Sequence, residues 1–233
     1  MAPAMADSLT TRLAVVEARI AAACRRVGRA RSDVRLVGAT KGMDAAVVRD
    51  AVAAGLSCFG ENYVQEWTAK RDALADVTTI EWHFIGRIQR NKAAAVAEAR
   101  LVHSLADLRV AAALAAVGAR RGDPVRALVQ VNLEGEETKG GVAPAALPEF
   151  LAALGAHQGL CAEGLMTIPP PLDPEAMRGR FRALRELRDR QVDAARLREL
   201  SMGMSADFEV AIEEGATLVR VGTAIFGPRK GTK

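Results

Sequence analysis

Leu9, Leu13, Val16, Ile20, Cys24 and Val27 recur at steps of three and four, the stripe of an amphipathic helix that stops near Gly28. Beyond this lead-in helix, short β-type apolar runs alternate with Ala-rich helical patterns. The strand candidates are residues 34–39, 56–60, 80–85, 101–104, 125–132, 160–167, 200–202 and 217–221. Helical stretches follow the first seven, at 44–54, 64–74, 89–99, 106–120, 144–156, 174–197 and 206–214, and Gly215 is the stop signal of the last. Seven βα units and a closing eighth strand, with no long polar linker, predict a single α/β domain over residues 1–233: a (β/α)8 TIM-type barrel entered by an N-terminal helix. A doubly wound open sheet ranks second, because the first strand lacks the G-x-G-x-x-G of a dinucleotide fold.

Composition agrees with a packed domain. Half of the 233 residues are hydrophobic and 26% are charged, which excludes disorder and disulfide-stapled mini-domains. The net charge of +4 comes from 26 Arg and only 6 Lys: Lys41, Lys70, Lys92, Lys139, Lys230 and Lys233. Arg stays protonated in proteins, so Schiff-base chemistry on a side chain has only these six residues to use. Eight Arg crowd residues 178–198 against Glu186, Asp189 and Asp193, but the segment has helical periodicity and Phe181 as its one aromatic. It reads as a solvated helix face rather than a nucleic-acid footprint. Cys24, Cys58 and Cys161 are odd in number and far apart, as buried thiols of a reducing compartment would be. With no signal-peptide pattern and no apolar run of about 18 residues, the expectation is a soluble cytoplasmic protein with neither membrane nor nucleic-acid partners.

A barrel carries its working residues at the C-terminal ends of its strands, so each exit can be searched in turn. The first exit reads Leu36-Val37-Gly38-Ala39-Thr40-Lys41. Lys41 follows a nearly uncharged strand into the mouth; on position alone it is as readily a Schiff-base lysine as an ordinary strand-end one. The seventh exit, Ser201-Met202-Gly203-Met204-Ser205, and the eighth, Val221-Gly222-Thr223-Ala224, offer hydroxyls and free backbone N–H groups where barrels often bind phosphate. Each turn alone is ordinary capping, but with Lys41 in the same mouth they suggest a ligand bearing a phosphate and an aldehyde. Pyridoxal 5'-phosphate (PLP) is the common cofactor of that description.

Arg220 lies inside the eighth strand, where a charge needs a partner or a ligand. A contact to a pyridine nitrogen and a structural ion pair both remain open. Glu61 and Asn62 follow the second strand, His83 lies in the third, and Met166 and Thr167 close the sixth. His83 is either a ring contact or a satisfied core histidine. The three His are scattered, C-x-x-C and H-x-x-x-H are missing, and there is no G-x-S-x-G elbow, so metal sites and Ser-His-Asp hydrolysis are unsupported.

The strings Gly60-Glu61-Asn62-Tyr63-Val64-Gln65-Glu66, His83-Phe84-Ile85-Gly86 with Gln89, Asn91 and Lys92, Gly164-Leu165-Met166, Ser201-Met202-Gly203-Met204-Ser205, and Val219-Arg220-Val221-Gly222 with Ile225-Phe226-Gly227 span almost the whole chain. In this order they resemble the pyridoxal phosphate homeostasis protein family. The resemblance implies a barrel similar to the N-terminal domain of alanine racemase, with PLP held as an aldimine on Lys41. It places phosphate contacts at Ser205, Gly222 and Thr223 and the ring-nitrogen partner at Arg220. Asn62, His83 and Met166 fall near the ring, and Ser201 and Met204 share the phosphate-side string. Met43 and Asp44 stand where the family often has a second lysine and a proline. Lys41 therefore lacks that neighbouring ammonium, and Lys139 is the other candidate for transfer.

Two classes compete. A racemase or decarboxylase uses the same site, but racemisation needs a second acid/base opposite Lys41. Racemases of the resembled fold take a Tyr from an added β-domain, whereas this chain ends at Lys233 and its one Tyr is Tyr63. The expectation is therefore a non-enzymatic carrier and regulator of PLP, a monomer that hands the cofactor to PLP-dependent apo-enzymes. A cofactor-free Schiff-base aldolase is the third reading.

Overall fold

The computed structural model describes residues 8–135, 140–170 and 172–228. Strands β1 (Arg35–Ala39), β2 (Cys58–Glu61), β3 (Glu81–Phe84), β4 (Leu101–Leu105), β5 (Val125–Gln130), β6 (Leu160–Met166), β7 (Glu199–Ser201) and β8 (Leu218–Val221) pair in parallel in chain order. β8 returns to β1 with Val37 opposite Arg220, which closes the barrel. This is the predicted (β/α)8 architecture.

Both faces of every strand are covered, so the strands read as continuous apolar runs. One apolar cluster lies inside the barrel, built from Val37, Cys58, Leu101, Leu128, Met166 and Leu218 of six different strands. The larger core lies between the strands and the surrounding helices. Lead-in helix α1 (Leu9–Arg26) is capped by Ser8, whose hydroxyl accepts from the Thr11 N–H, and it buries Leu13, Val16, Ile20 and Cys24. Its polar side is tied down as well: Arg19 and Arg26 pair at 2.6 Å with Glu209 and Glu213, in and at the end of α8 (Phe208–Glu213).

The connecting helices α2 (Ala45–Ala53), α3 (Val64–Ala73), α4 (Ala93–Val96), α5 (Leu108–Arg121), α6 (Leu147–Gly155) and α7 (Pro174–Asp189) follow the expected order. Three expectations need correction. The stretch read as a helix over 89–99 is a 3-10 turn at Arg90–Lys92 followed by the single-turn α4. The helix expected over 174–197 ends at Asp189. Met177, Phe181, Leu184 and Leu187 carry its buried stripe, but the next positions on that face are Arg190 and Gln191, and Val192 is fully exposed. The third concerns cysteine: Cys24 and Cys58 are buried thiols, whereas Cys161 is exposed, at the N-terminal end of β6 where it lines an open cavity.

The first part of the Arg-rich segment lies on α7, and its arginines reach carboxylates. Glu214, buried just past α8, receives Arg182 at 2.8 Å, Arg185 at 3.3 Å and Arg178 at 3.4 Å. These pairs fasten α7 to the end of α8. No helix among the described residues is long and apolar enough to cross a membrane.

Candidate functional site

Lys41 sits at the exit of β1, half-buried, with its ammonium 4.9 Å from the centre of the exposed Tyr63 ring. The backbone beneath it is fixed by a buried ion pair. Lys70 Nζ, from α3, lies 2.5 Å from Glu61 Oε1 and 2.7 Å from the Thr40 carbonyl, and the Thr40 hydroxyl donates to the same Glu61 oxygen at 2.5 Å. Burial pushes the Glu61 carboxyl up, and the bonds from Lys70 and Thr40 draw it partly back. On the other side of the turn, Gly42 adopts φ +72° and donates its N–H to Glu66 Oε2. Lys70 thus frames the Lys41 turn and has no free ammonium to offer the mouth. Lys139, Lys230 and Lys233 lie outside the described residues.

The β2 and β3 exits meet at Gly86. A Cβ there would lie 1.9 Å from the Asn62 carbonyl oxygen, so only glycine lets the two turns touch. Asn62 is half-buried at the mouth. Beside the Lys41 exit, where β8 pairs with β1, the seventh and eighth exits converge: the N–H groups of Gly222 and Ala224 approach Ser205 Oγ at 3.2 and 3.4 Å. Two backbone donors thus converge on one oxygen, with Thr223 exposed beside them. Thr223 opens the one-turn helix α9 (Thr223–Phe226), absent from the strand-and-helix count made on the sequence. Met204 is half-buried at the same exit, its N–H held by Asp207 Oδ1 at 2.6 Å.

The other expected site residues lie deeper. Arg220 is 4% exposed; Nη2 donates to the Thr167 carbonyl at 2.9 Å and Nη1 to Ser201 Oγ. Among the described residues no carboxylate lies within ion-pair distance of it, and Asp207 acts on it only at longer range. Burial pushes the guanidinium down to about 10, with Asp207 opposing, so it remains charged at neutral pH. Ser201, His83 and Met166 are each fully buried and have no surface open to the mouth. Met166 belongs to the apolar cluster inside the barrel, and Ser201 and His83 belong to a buried polar chain.

The chain runs through a residue that sequence reasoning missed. Ser201 Oγ is 2.8 Å from His103 Nδ1, His103 Nε2 is 2.9 Å from His83 Nδ1, and His83 Nε2 is 2.9 Å from Glu81 Oε1, which also receives Arg35 at 2.8 Å. The available signal was a polar residue in an otherwise apolar strand, as at Glu81, His83, His103, Ser201 and Arg220. The chain also brings Cys58, Glu81 and His83 within ligand distance of one another, which scattered sequence positions did not suggest. Glu81 also receives Arg35 and contacts His83, and burial pushes the Cys58 thiol up. A cavity of about 900 Å³ opens at the opposite end of the barrel, between Arg35, Arg126 and Glu199, and contains none of the mouth residues.

The alanine racemase N-terminal domain family matches residues 12–230. The "Pyridoxal phosphate homeostasis protein" of Aquifex aeolicus is 46% identical over 94% of this chain and 97% of its own length. That of Pseudomonas aeruginosa is 44% identical over 96% of both chains. This chain belongs to the pyridoxal phosphate homeostasis protein family. Among solved members of similar structure, PipY of Synechococcus elongatus with PLP bound superposes with a TM-score of 0.82 at 35% identity, covering 94% of this chain and all of PipY. Alanine racemase from E. faecalis shares the barrel at a TM-score of 0.67 and 17% identity, and this chain spans 58% of it. The homeostasis-protein barrel thus matches its own family along its full length and the racemases in fold.

Proposed function

We propose that the protein binds PLP at the barrel mouth, bonded covalently to Lys41, and serves as a cytoplasmic, monomeric single-domain carrier that supplies PLP-dependent apo-enzymes without turning over amino acids itself. The observation that carries this reading is the placement of Lys41 in one mouth with the Ser205, Gly222 and Ala224 cradle. When bound, PLP supplies an aldehyde that condenses with a primary amine.

The residues present fit the group. Lys41 offers the amine at a turn held rigid from below by the Glu61–Lys70 pair. Gly222, Ala224, Ser205 and Thr223 supply neutral donors for a phosphate, and Gly222 keeps this strand end open, since a Cβ there would crowd the Ala39 carbonyl at 3.3 Å. Arg220 supplies a permanent cation for the ring nitrogen. A guanidinium at that nitrogen disfavours its protonation and weakens the ring as an electron sink, which favours holding over catalysis. Asn62 and Met204 border the same space.

The non-enzymatic part of the reading is supported by Tyr63. It is the only tyrosine in the sequence, and it packs against the Lys41 ammonium, on the lysine's own side of the mouth rather than opposite it. The homeostasis-protein names of the relatives agree with such a role. Adding PLP to the purified protein is expected to give a new absorbance band that Lys41→Ala abolishes. With PLP bound, amino acids incubated in deuterated water are expected to keep their α-protons; sustained exchange would replace the carrier reading with a racemase.

A further inference from the structure

The buried chain from Arg220 to Glu81 has only one consistent order of hydrogens. Burial holds both His83 and His103 below the ordinary histidine range, so at neutral pH each ring carries one N–H. Arg220 has donors only, so Ser201 Oγ accepts from Nη1 and turns its own hydrogen to His103 Nδ1. His103 then keeps its proton on Nε2 and donates to His83 Nδ1. His83 in turn donates from Nε2 to Glu81, which as a carboxylate can only accept. Every bond points the same way, from a cation near the mouth to an anion toward the far end of the barrel.

We propose that Glu81, His83 and His103 are positioning residues for Arg220, which through Ser201 hold the guanidinium with its unused N–H groups available to the ring nitrogen of PLP. The inference rests on the PLP reading of the mouth. A carboxylate placed directly on Arg220 would neutralise it and occupy those donors. Here the anion stands two imidazoles and a hydroxyl away, and the intervening groups are neutral dipoles aligned by it.

Removing Glu81 frees the order to reverse. His83 can then donate from Nδ1 to His103, and His103 from Nδ1 to Ser201. The Ser201 hydrogen loses its acceptor, and Arg220 shares the Ser201 oxygen with a competing donor. A group remote from the mouth thereby decides how firmly Arg220 is held.

The test uses the full chain and two ligands, PLP and an analogue of equal shape whose ring nitrogen is replaced by C–H. Glu81→Met and His103→Phe are expected to weaken PLP binding about tenfold, roughly one strong hydrogen bond, while leaving the analogue unchanged. Glu81→Gln keeps an acceptor oxygen and should stay near wild type. Equal weakening for both ligands, or no weakening for PLP, overturns the proposal while leaving Lys41 as the binding lysine; a wild-type protein that binds neither ligand overturns the PLP reading and this inference together. With Glu81, His83, His103, Ser201 and Arg220 all left in place, ¹⁵N-histidine spectra of the His157→Gln protein should show both remaining rings as neutral Nε2–H tautomers. An Nδ1–H ring at either position would overturn the proposed order.

Discussion

Lys70 Nζ and Glu61 Oε1 lie 2.5 Å apart with both side chains closed to solvent, directly beneath the turn that carries Lys41. Removing one member of such a pair strands a buried charge. Glu61→Ala is therefore expected to cost about 3–5 kcal/mol in urea unfolding, and replacing both members with apolar residues should recover most of that. The same single variant should slow the reaction of Lys41 with PLP, because the Thr40 carbonyl loses the anchored ammonium that holds it.

The two buried histidines give the fold an acid sensitivity that begins above the carboxylate range. Both folded values are depressed from 6.5, His83 and His103 alike by burial. The unfolded chain takes up protons below about pH 6.5 that the folded chain refuses, so stability is full above that pH and falls as pH drops through it. Denaturation midpoints measured from pH 7.5 to 5 should decline in the wild type. In His83→Gln/His103→Gln the decline over that window should flatten.

A second decline starts lower. Hydrogen bonding from Arg182 holds Glu214 below the usual carboxylate value, and at Glu213 the bonds from Arg178 and Arg26 outweigh an opposing burial effect. Stability from these groups is present above about pH 4.5 and is lost as pH falls toward their folded values. Glu214→Gln is expected to cost about 1–2 kcal/mol at neutral pH and low salt, because three arginines lose their shared anion. Raising the salt should shrink the difference between variant and wild type, read from thermal midpoints in both buffers.

Gly86→Ala places a methyl 1.9 Å from the Asn62 carbonyl, so the two exits must separate. The expected cost is roughly 2–4 kcal/mol by thermal unfolding. Gly55→Ala, also at a turn but with nothing within 4 Å, serves as the control; its strain comes from φ +102° alone, and it should leave PLP binding intact.

The barrel was legible because each strand is covered on both faces and writes itself as an unbroken apolar run between helical patterns. The strand segments at 160–167 and 217–221 match β6 and β8 within a residue of each end. Helix ends were less legible: the periodicity of α7 runs on in composition past Asp189 while its buried face stops at Leu187. At the site, Lys41 could be singled out because lysine is scarce, and Ser205 and Gly222 because their turns occupy the exits where barrels often bind phosphate. The depth of a side chain could not be read. His83, Met166 and Ser201 sit in the right strands, but alternation along a strand does not say how far below the mouth a residue lies. His103 was missed because its partners Ser201 and His83 are 98 and 20 residues away, and only the closed barrel brings the three together.

Borohydride reduction of the PLP-loaded protein, followed by digestion and peptide mapping, tests most directly whether Lys41, and not another lysine, holds the cofactor. The expected result is a pyridoxyl group on the peptide containing Lys41; a modification confined to Lys70, Lys92 or Lys139 would contradict that assignment.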